Sequence, residues 1–373
     1  MVNKNLILNL KIIFSINNKQ IIYYFYQDRL IIMSEKTTIY DIAKELKITA
    51  ATVSRALNNN PKISISTRKL VLETANKMNY KQNKLALALR SGRSNNVGVI
   101  VPRINTNFFA SVIRGIEEGL HPEGYQVIIC QSHEDESREI ENVNTLLNAQ
   151  VDGILMSISN LPNEDNQYIE RVIEKNIPLI FFDRKKQMKN VNSVTIDDYQ
   201  ASYQTTQHLL EQGCDKIAYF SGDRSLEIYE DRYRGYEQAL LDNNILINEE
   251  YIISIKSNVT EGRDAVEKLL ALKNPPNAIF STSDFAALGA IQKLKEHGIK
   301  IPEDFCVFGF GNEPFTKFME LTISTIDQSP LEMGKMAAQV FLEKVNNTEH
   351  KKSGKNVVLM PKLLIRQSST RIT

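Results

Sequence analysis

The sequence predicts a small all-α unit followed by a larger two-lobed α/β core built on two doubly wound parallel sheets. Three observations carry that expectation. Apolar residues recur at three- and four-residue spacing between Thr38 and Met78. From about Ser94 onward, short and wholly apolar runs alternate with amphipathic helical segments. Charge is divided: twelve Lys/Arg against three Asp/Glu lie between Lys36 and Arg93, on a chain whose net charge is only +1.

In the first helix Ile39, Ile42, Ala43 and Leu46 share one face, and Ala43 is small enough to admit a second helix closely. A turn follows at Lys47-Ile48. Thr49 is an N-cap whose hydroxyl can accept from the N–H of Ala51 or Thr52. The second helix runs from Ala50 to about Leu57 with Val53 and Leu57 inward. Ala50, Ala51, Thr52, Ser54, Arg55 and Asn58 then face outward, a short, polar set free of acid that suits a helix lying in a major groove. A third helix starting at Ser64 returns Val71, Ala75 and Met78 to the first two. Three amphipathic helices can also be part of any helical domain. The basic segment on an acidic body favours a helix-turn-helix DNA-binding domain, assigned to 36–82.

The core, 94–373, begins with VGVIVP, YQVIICQS, GILMSIS and IPLIFFD, separated by expected helices near 108–120, 136–148 and 165–174. The alternation then restarts with KIAYFSG, YIISIKS, AIFSTS and FCVFGFG and helices near 232–242, 261–270 and 285–296. Strands apolar throughout and joined by helical crossovers imply sheets covered on both faces. The expected lobes are about 94–195 with 326–350, and about 196–325 with 351–370. Ligands in such sheets sit beyond the carboxyl ends of the strands, so the loops there should line an interlobe cleft.

Other classes are disfavoured. Cys130, Cys214 and Cys306 are scattered without a CxxC pair, which fits reduced thiols of a cytoplasmic protein and no zinc site. The five histidines are isolated, and no HExxH, GxSxG or Walker loop occurs. An enzyme, a metal and a cofactor are therefore not expected. Residues 1–35 stand outside the pattern; Lys11, Lys19, Asp28 and Arg29 interrupt their apolar runs short of a membrane span, and no signal-peptide cleavage site follows. They read as an upstream extension, with Met33 as the natural start.

TIYDIAKEL, ATVSRALN, NKLALALRSGRSNNVGVIVP, VDGILMS, IPEDFCVFGF and LTISTIDQSPLEMGK resemble the LacI/GalR family of bacterial transcription regulators, over about Thr37 to Ser369. The resemblance implies a homodimeric repressor with a periplasmic-binding-protein-like core, a pseudo-palindromic operator and a small-molecule effector, such as a sugar or sugar derivative, in the cleft. Candidate DNA contacts are completed by Thr38, Tyr40, Thr49, Ser64, Tyr80 and Asn83. The family's hinge helix falls on 83–93, where Leu89 holds the position of the leucine wedged into the minor groove. Carried over by position, the effector residues are Asn107, Phe108, Phe109, Asp183, Arg232, Ser283 and Asp284. An Arg fork and a carboxylate can bind vicinal hydroxyls or a ligand acid, and an aromatic face can stack on a sugar ring. Their structural alternatives are an Asp183–Arg232 ion pair, core phenylalanines and an Asp284 helix cap. Gly311-Asn312 stands where sugar-responsive members commonly carry an Asp after the GF strand. After RQSS only Thr370 to Thr373 follow, so no leucine heptad for tetramers is expected. The alternative function is a solute-binding protein without DNA activity.

Overall fold

The computed structural model describes residues 37–81, 93–159, 167–346 and 354–371. The amino-terminal extension and the hinge segment with Asn83 and Leu89 lie outside the described residues. The chain divides near residue 86 into two units, each taken by itself below.

The first unit holds α1 (Ile39–Leu46), α2 (Ala50–Leu57) and α3 (Ile65–Lys77). Asp41, in the first turn of α1, accepts from the backbone N and the Oγ1 of Thr38, both at 2.7 Å. These bonds hold its carboxyl below the usual carboxylate range. Lys47 adopts φ 51°, the left-handed conformation that ends α1 and lets Ile48 N donate to Ala43 O at 3.0 Å. Thr49 caps α2 by accepting from Thr52 N at 3.2 Å, and Ser64 caps α3 by accepting from Thr67 N at 3.1 Å. Ile42, Ala43, Val53, Ala56, Val71 and Ala75 form the buried core. Leu57, expected inward, packs against this core and is half-buried, while the stripe set by Val53 continues through the fully buried Ala56, three residues on. Ala50, expected outward, packs partly against this core.

In the larger unit the first sheet contains β1 (Asn96–Val101), β2 (Gln126–Gln131), β3 (Gly153–Met156), β4 (Leu179–Phe182) and β5 (Asn192–Ile196). Helices α4 (Asn107–Leu120), α5 (Glu136–Asn148) and α6 (Gln167–Glu174) belong to this first lobe. The second lobe carries β6 (Ile217–Ser221), β7 (Ile252–Ser254), β8 (Ala278–Ser281) and β9 (Cys306–Phe308), ordered β7-β6-β8-β9. Its helices are α7 (Asp198–Glu211), α8 (Glu227–Asp242), α9 (Val259–Leu270) and α10 (Asp284–Glu296). All pairings within both sheets are parallel, as expected of strands apolar on both faces. Helix α8 begins five residues before the expected 232, so Glu227 and Glu230 occupy its first turn.

The chain crosses between the lobes three times. It passes from β5 into α7, and later from β10 (Thr325–Asp327) into α11 (Pro330–Asn346), which packs on α4 of the first lobe. It then returns from β11 (Asn356–Leu359) into β12 (Lys362–Leu364), antiparallel to β10. One expectation is corrected here: 351–370 was assigned to the second lobe, yet β11 is an edge strand of the first sheet. Its Val357 pairs with Val194 of β5, whose outer edge would otherwise lack a partner. The following turn does belong to the second lobe. Ser368 Oγ donates to Val307 O at 2.6 Å, and Ser369 Oγ lies 2.7 Å from Ser324 Oγ. Among the described residues no helix is long and apolar enough to cross a membrane.

Helices α4 and α11 approach so closely that a Cβ on Gly334 would overlap the Val112 carbonyl, and one on Gly115 the Leu331 carbonyl. Both obstacles are backbone, which cannot turn aside. Gly334→Ala should therefore lower core stability by about 1–3 kcal/mol, read as a lower urea midpoint. An unchanged midpoint would mean the helices are free to separate.

Candidate DNA-reading helix and interlobe cleft

On the first unit, Ala51, Arg55 and Asn58 of α2 and its C-cap are exposed, and Thr52 and Ser54 are half-buried. The Thr52 hydroxyl is 2.9 Å from that of Thr49, and the Asn58 amide donates to Ser54 O at 2.7 Å. Arg55 is the one charged residue of α2, and it is exposed. Tyr40 is 71% exposed, whereas Tyr80 packs partly against the core, and Thr38 and Ser64 serve the helix starts.

In the larger unit, the loops at the carboxyl ends of the strands meet in the cleft. Asp183, directly after β4, has φ 60°, and Arg184 N turns back to Phe182 O at 2.7 Å. This left-handed residue aims a buried carboxyl at Ser157, whose hydroxyl donates at 2.9 Å. Burial raises its pKa, with the Arg184 charge pulling the other way. Arg184 Nη1 donates to Glu134 Oε2 at 2.8 Å, while its Nε lies 3.8 Å from Asp183 Oδ2. Arg184 and Glu134 escaped the sequence reading. The basic run that follows Asp183 resembles a solvated loop, and Glu134 becomes its partner only across fifty residues of chain. At the cleft mouth, Gln187 Nε2 donates to Glu227 Oε1 of the other lobe at 2.9 Å.

Arg232 is 4% exposed and lies flat on Phe310, its guanidinium carbon 3.6 Å from the ring centre. Its Nε donates to Asp198 Oδ1 at 2.6 Å. No acceptor for its terminal nitrogens occurs among the described residues. The ion-pair partner is thus Asp198, at the start of α7, and not Asp183. Burial pushes the Asp198 carboxyl up to about 6, although Arg232 opposes the shift.

Two other candidate residues are engaged within the protein. Phe109 is 6% exposed and lies in the core; Phe108, in edge contact with it at 5.1 Å, is half-buried. Asp284 is 1% exposed, and both carboxyl oxygens are engaged: Thr325 Oγ1 donates at 2.7 Å and Glu313 N at 2.8 Å. It braces the loop after β9 onto the crossing strand β10 and does not cap α10, while Ser283 is buried beside it. Burial pushes the Asp284 carboxyl up to about 7. Asn107, exposed at the start of α4, does line an interlobe cavity of about 290 Å³, together with Ser111, Gly311, Asn312, Asp327 and Glu332. The last three belong to segments distant in sequence. Only the unusual Gly311-Asn312 pair pointed to any of them.

The model of the periplasmic binding proteins and sugar binding domain of the LacI family matches residues 94–367, and that of the bacterial regulatory proteins of the lacI family matches 38–83. The chain belongs to the LacI family. Catabolite control protein A of Priestia megaterium is 33% identical over 83% of this chain and 92% of its own. The HTH-type transcriptional repressor CytR of Escherichia coli is 33% identical over 90% of this chain and 96% of its own. The Lac repressor dimer bound to operator and an anti-inducer superposes with a TM-score of 0.80 at 21% identity, covering 90% of this chain and all of that one, a likeness of fold. This LacI-family member is therefore a transcription regulator with a helix-turn-helix unit and a periplasmic-binding-protein-like core.

Asp284 makes stability depend on pH. Its native pKa of about 7 lies above the ordinary 3.8, so the folded form binds the proton more tightly and loses stability as pH rises through that interval. Asp284→Asn mimics the protonated carboxyl. Relative to the parent, it should gain roughly 2–4 kcal/mol between about pH 4 and pH 8, measured by urea unfolding. Parallel pH profiles would show that Asp284 titrates normally.

Proposed function

We propose that this chain is a homodimeric repressor that reads a pseudo-palindromic operator through α2 and is controlled by a sugar or sugar derivative bound between the lobes. The observation that carries the reading is Arg232: a buried guanidinium held on one edge by Asp198 and on one face by Phe310, with its two terminal nitrogens unspent. A donor pair held in this way on a fixed side chain is placed to bond two ligand oxygens. Asp183, buried beside this charge with one protein hydrogen bond, supplies the complementary acceptor for ligand hydroxyls. Repression agrees with the name of the relative CytR. Dimerisation agrees with the exposed aromatic surface of the second lobe, where Phe318 is 77% exposed near Phe285 and Phe315. The hinge segment with Leu89 belongs to the same proposal as the minor-groove wedge that bends the operator.

Two substitutions test the separate halves. Arg55→Ala should weaken binding to an operator selected from random duplexes by about 1–3 kcal/mol and weaken random DNA much less. Equal losses on both would reduce Arg55 to a phosphate contact. Arg232→Ala, combined with Asp198→Asn to leave no unpaired buried charge, should retain operator affinity while abolishing the change on adding the sugar that acts on the parent. That change is expected to be about 5- to 150-fold, read by fluorescence anisotropy. A full response in the double variant would remove Arg232 from the effector site.

A further inference from the structure

Two of the three cysteines come together in the second lobe, away from the cleft. Cys214 follows α7 on the way to β6, and Cys306 opens β9; both are fully buried in one apolar cluster. The side chain of Arg371 joins the segments that carry them. Its Nη1 donates to Gln212 O at 3.2 Å and to Gly213 O at 3.4 Å, just before Cys214. Its Nε donates to Pro302 O at 3.1 Å and its Nη2 to Asp304 O at 3.3 Å, just before Cys306. Arg371 N adds a bond to Gln212 Oε1 at 2.9 Å. Between these segments the Cys214 thiol meets the Cys306 sulfur as a hydrogen-bond donor.

Two small buried thiols can be nothing more than core. The surroundings of this pair set its members apart. Cys306 Sγ shares the Pro302 carbonyl with Arg371, at 3.7 Å. The Cys214 donor and the Arg371 charge hold the Cys306 thiol below the ordinary cysteine value, while burial and the more distant Glu303 oppose them. Cys214 turns its proton toward that sulfur, is buried, and lies near Asp215; its thiol is pushed up. One sulfur is therefore readied as a thiolate and the other kept as a thiol beside it. Cys130 is the contrast: it is half-buried in β2 of the first lobe, and burial raises its thiol.

We propose that Cys306 and Cys214 form a reversible redox site for hydrogen peroxide, with Cys306 as the attacking sulfur and Cys214 as the resolving one. The Cys306 thiolate attacks one peroxide oxygen. An S–O bond forms, the O–O bond breaks, and the departing hydroxide takes up a proton and leaves as water. Cys214 then attacks the Cys306 sulfur; the S–O bond breaks, and a second water leaves with the Cys214 proton. Both thiols are oxidised to a disulfide and the peroxide is reduced to water. The sulfurs close from contact to a bond of about 2.05 Å, which fastens the start of β9 to the segment after α7. Arg371 is a positioning residue. It is half-buried, with its bonds to Gly213 O and Asp304 O at the surface, so it stands on the solvent side of the pair. Its charge favours the thiolate, and displacing its side chain admits the oxidant.

The test treats the reduced full chain with hydrogen peroxide, alkylates the remaining thiols and maps the peptides by mass spectrometry. A cross-linked peptide joining Cys214 to Cys306 should appear at least about tenfold faster than any oxidation of Cys130, and dithiothreitol should reverse it. Cys214→Ser should stop the reaction at a Cys306 sulfenic acid, captured by dimedone. Cys306→Ser should leave Cys214 unoxidised. Arg371→Gln should move the midpoint of the rate's pH profile upward, and Arg371→Lys should bring it back. A side chain that merely covers the pair would, on removal, speed the reaction equally at every pH, and that result would remove Arg371 from the site. Thiol loss led by Cys130, oxidation of Cys306 with no cross-link to Cys214, or no reaction with excess peroxide would overturn the proposal. Those three outcomes are read on the parent chain, so they decide the matter even where a variant fails to fold.

Discussion

The buried hydrogen bond from Thr325 to Asp284 fastens the second lobe to the strand through which the chain leaves it for the first. Asp284 begins a helix of the second lobe, and Thr325 begins the strand that leads into α11 of the first. With the Glu313 N–H on its other oxygen, this carboxyl ties the cavity loop to the crossing strand. The bond lies where water cannot compete for it, and no lysine or arginine is among its direct partners. Such a group is a rigid connector whose charge, when ionised, is answered by these two donors and at longer range by Arg366.

Arg232 and Asp198 show the opposite use of burial. A pair sequestered from water attracts strongly, but its net contribution is small because both ions have lost hydration. Its value here is orientation. One edge of the guanidinium is held by Asp198 and one face by Phe310, so the side chain has little rotamer freedom left. Asp183, in a left-handed backbone conformation uncommon for a residue with a Cβ, is likewise held in one orientation, by Ser157.

Much of this was legible in the residues. Three- and four-residue spacing locates α1 to α3, and unbroken apolar runs locate the parallel strands, because both periodicities follow from burial on known faces. Partnerships across long chain separations were not legible. Arg232 selects Asp198 over Asp183 only because α7 and α8 pack together, and β11 joins the first sheet because β5 has an open edge. Asp284 looked like a cleft residue because it follows a strand, but the adjoining loop folds back over it. The amide of Asn312 takes its direction from Arg366, fifty-four residues later, and no local pattern announces such a contact.

The triple crossing has a consequence for how the protein is made. The edge strand of the first lobe and the serine turn that fastens the second both come from the segment after residue 355. On a ribosome, neither lobe can complete its sheet or its anchor until that segment emerges, whereas the helix-turn-helix unit has all its core residues within the first eighty. A nascent or prematurely terminated chain would therefore carry a finished DNA-reading module attached to an unfinished sensor, able to occupy DNA and deaf to any ligand.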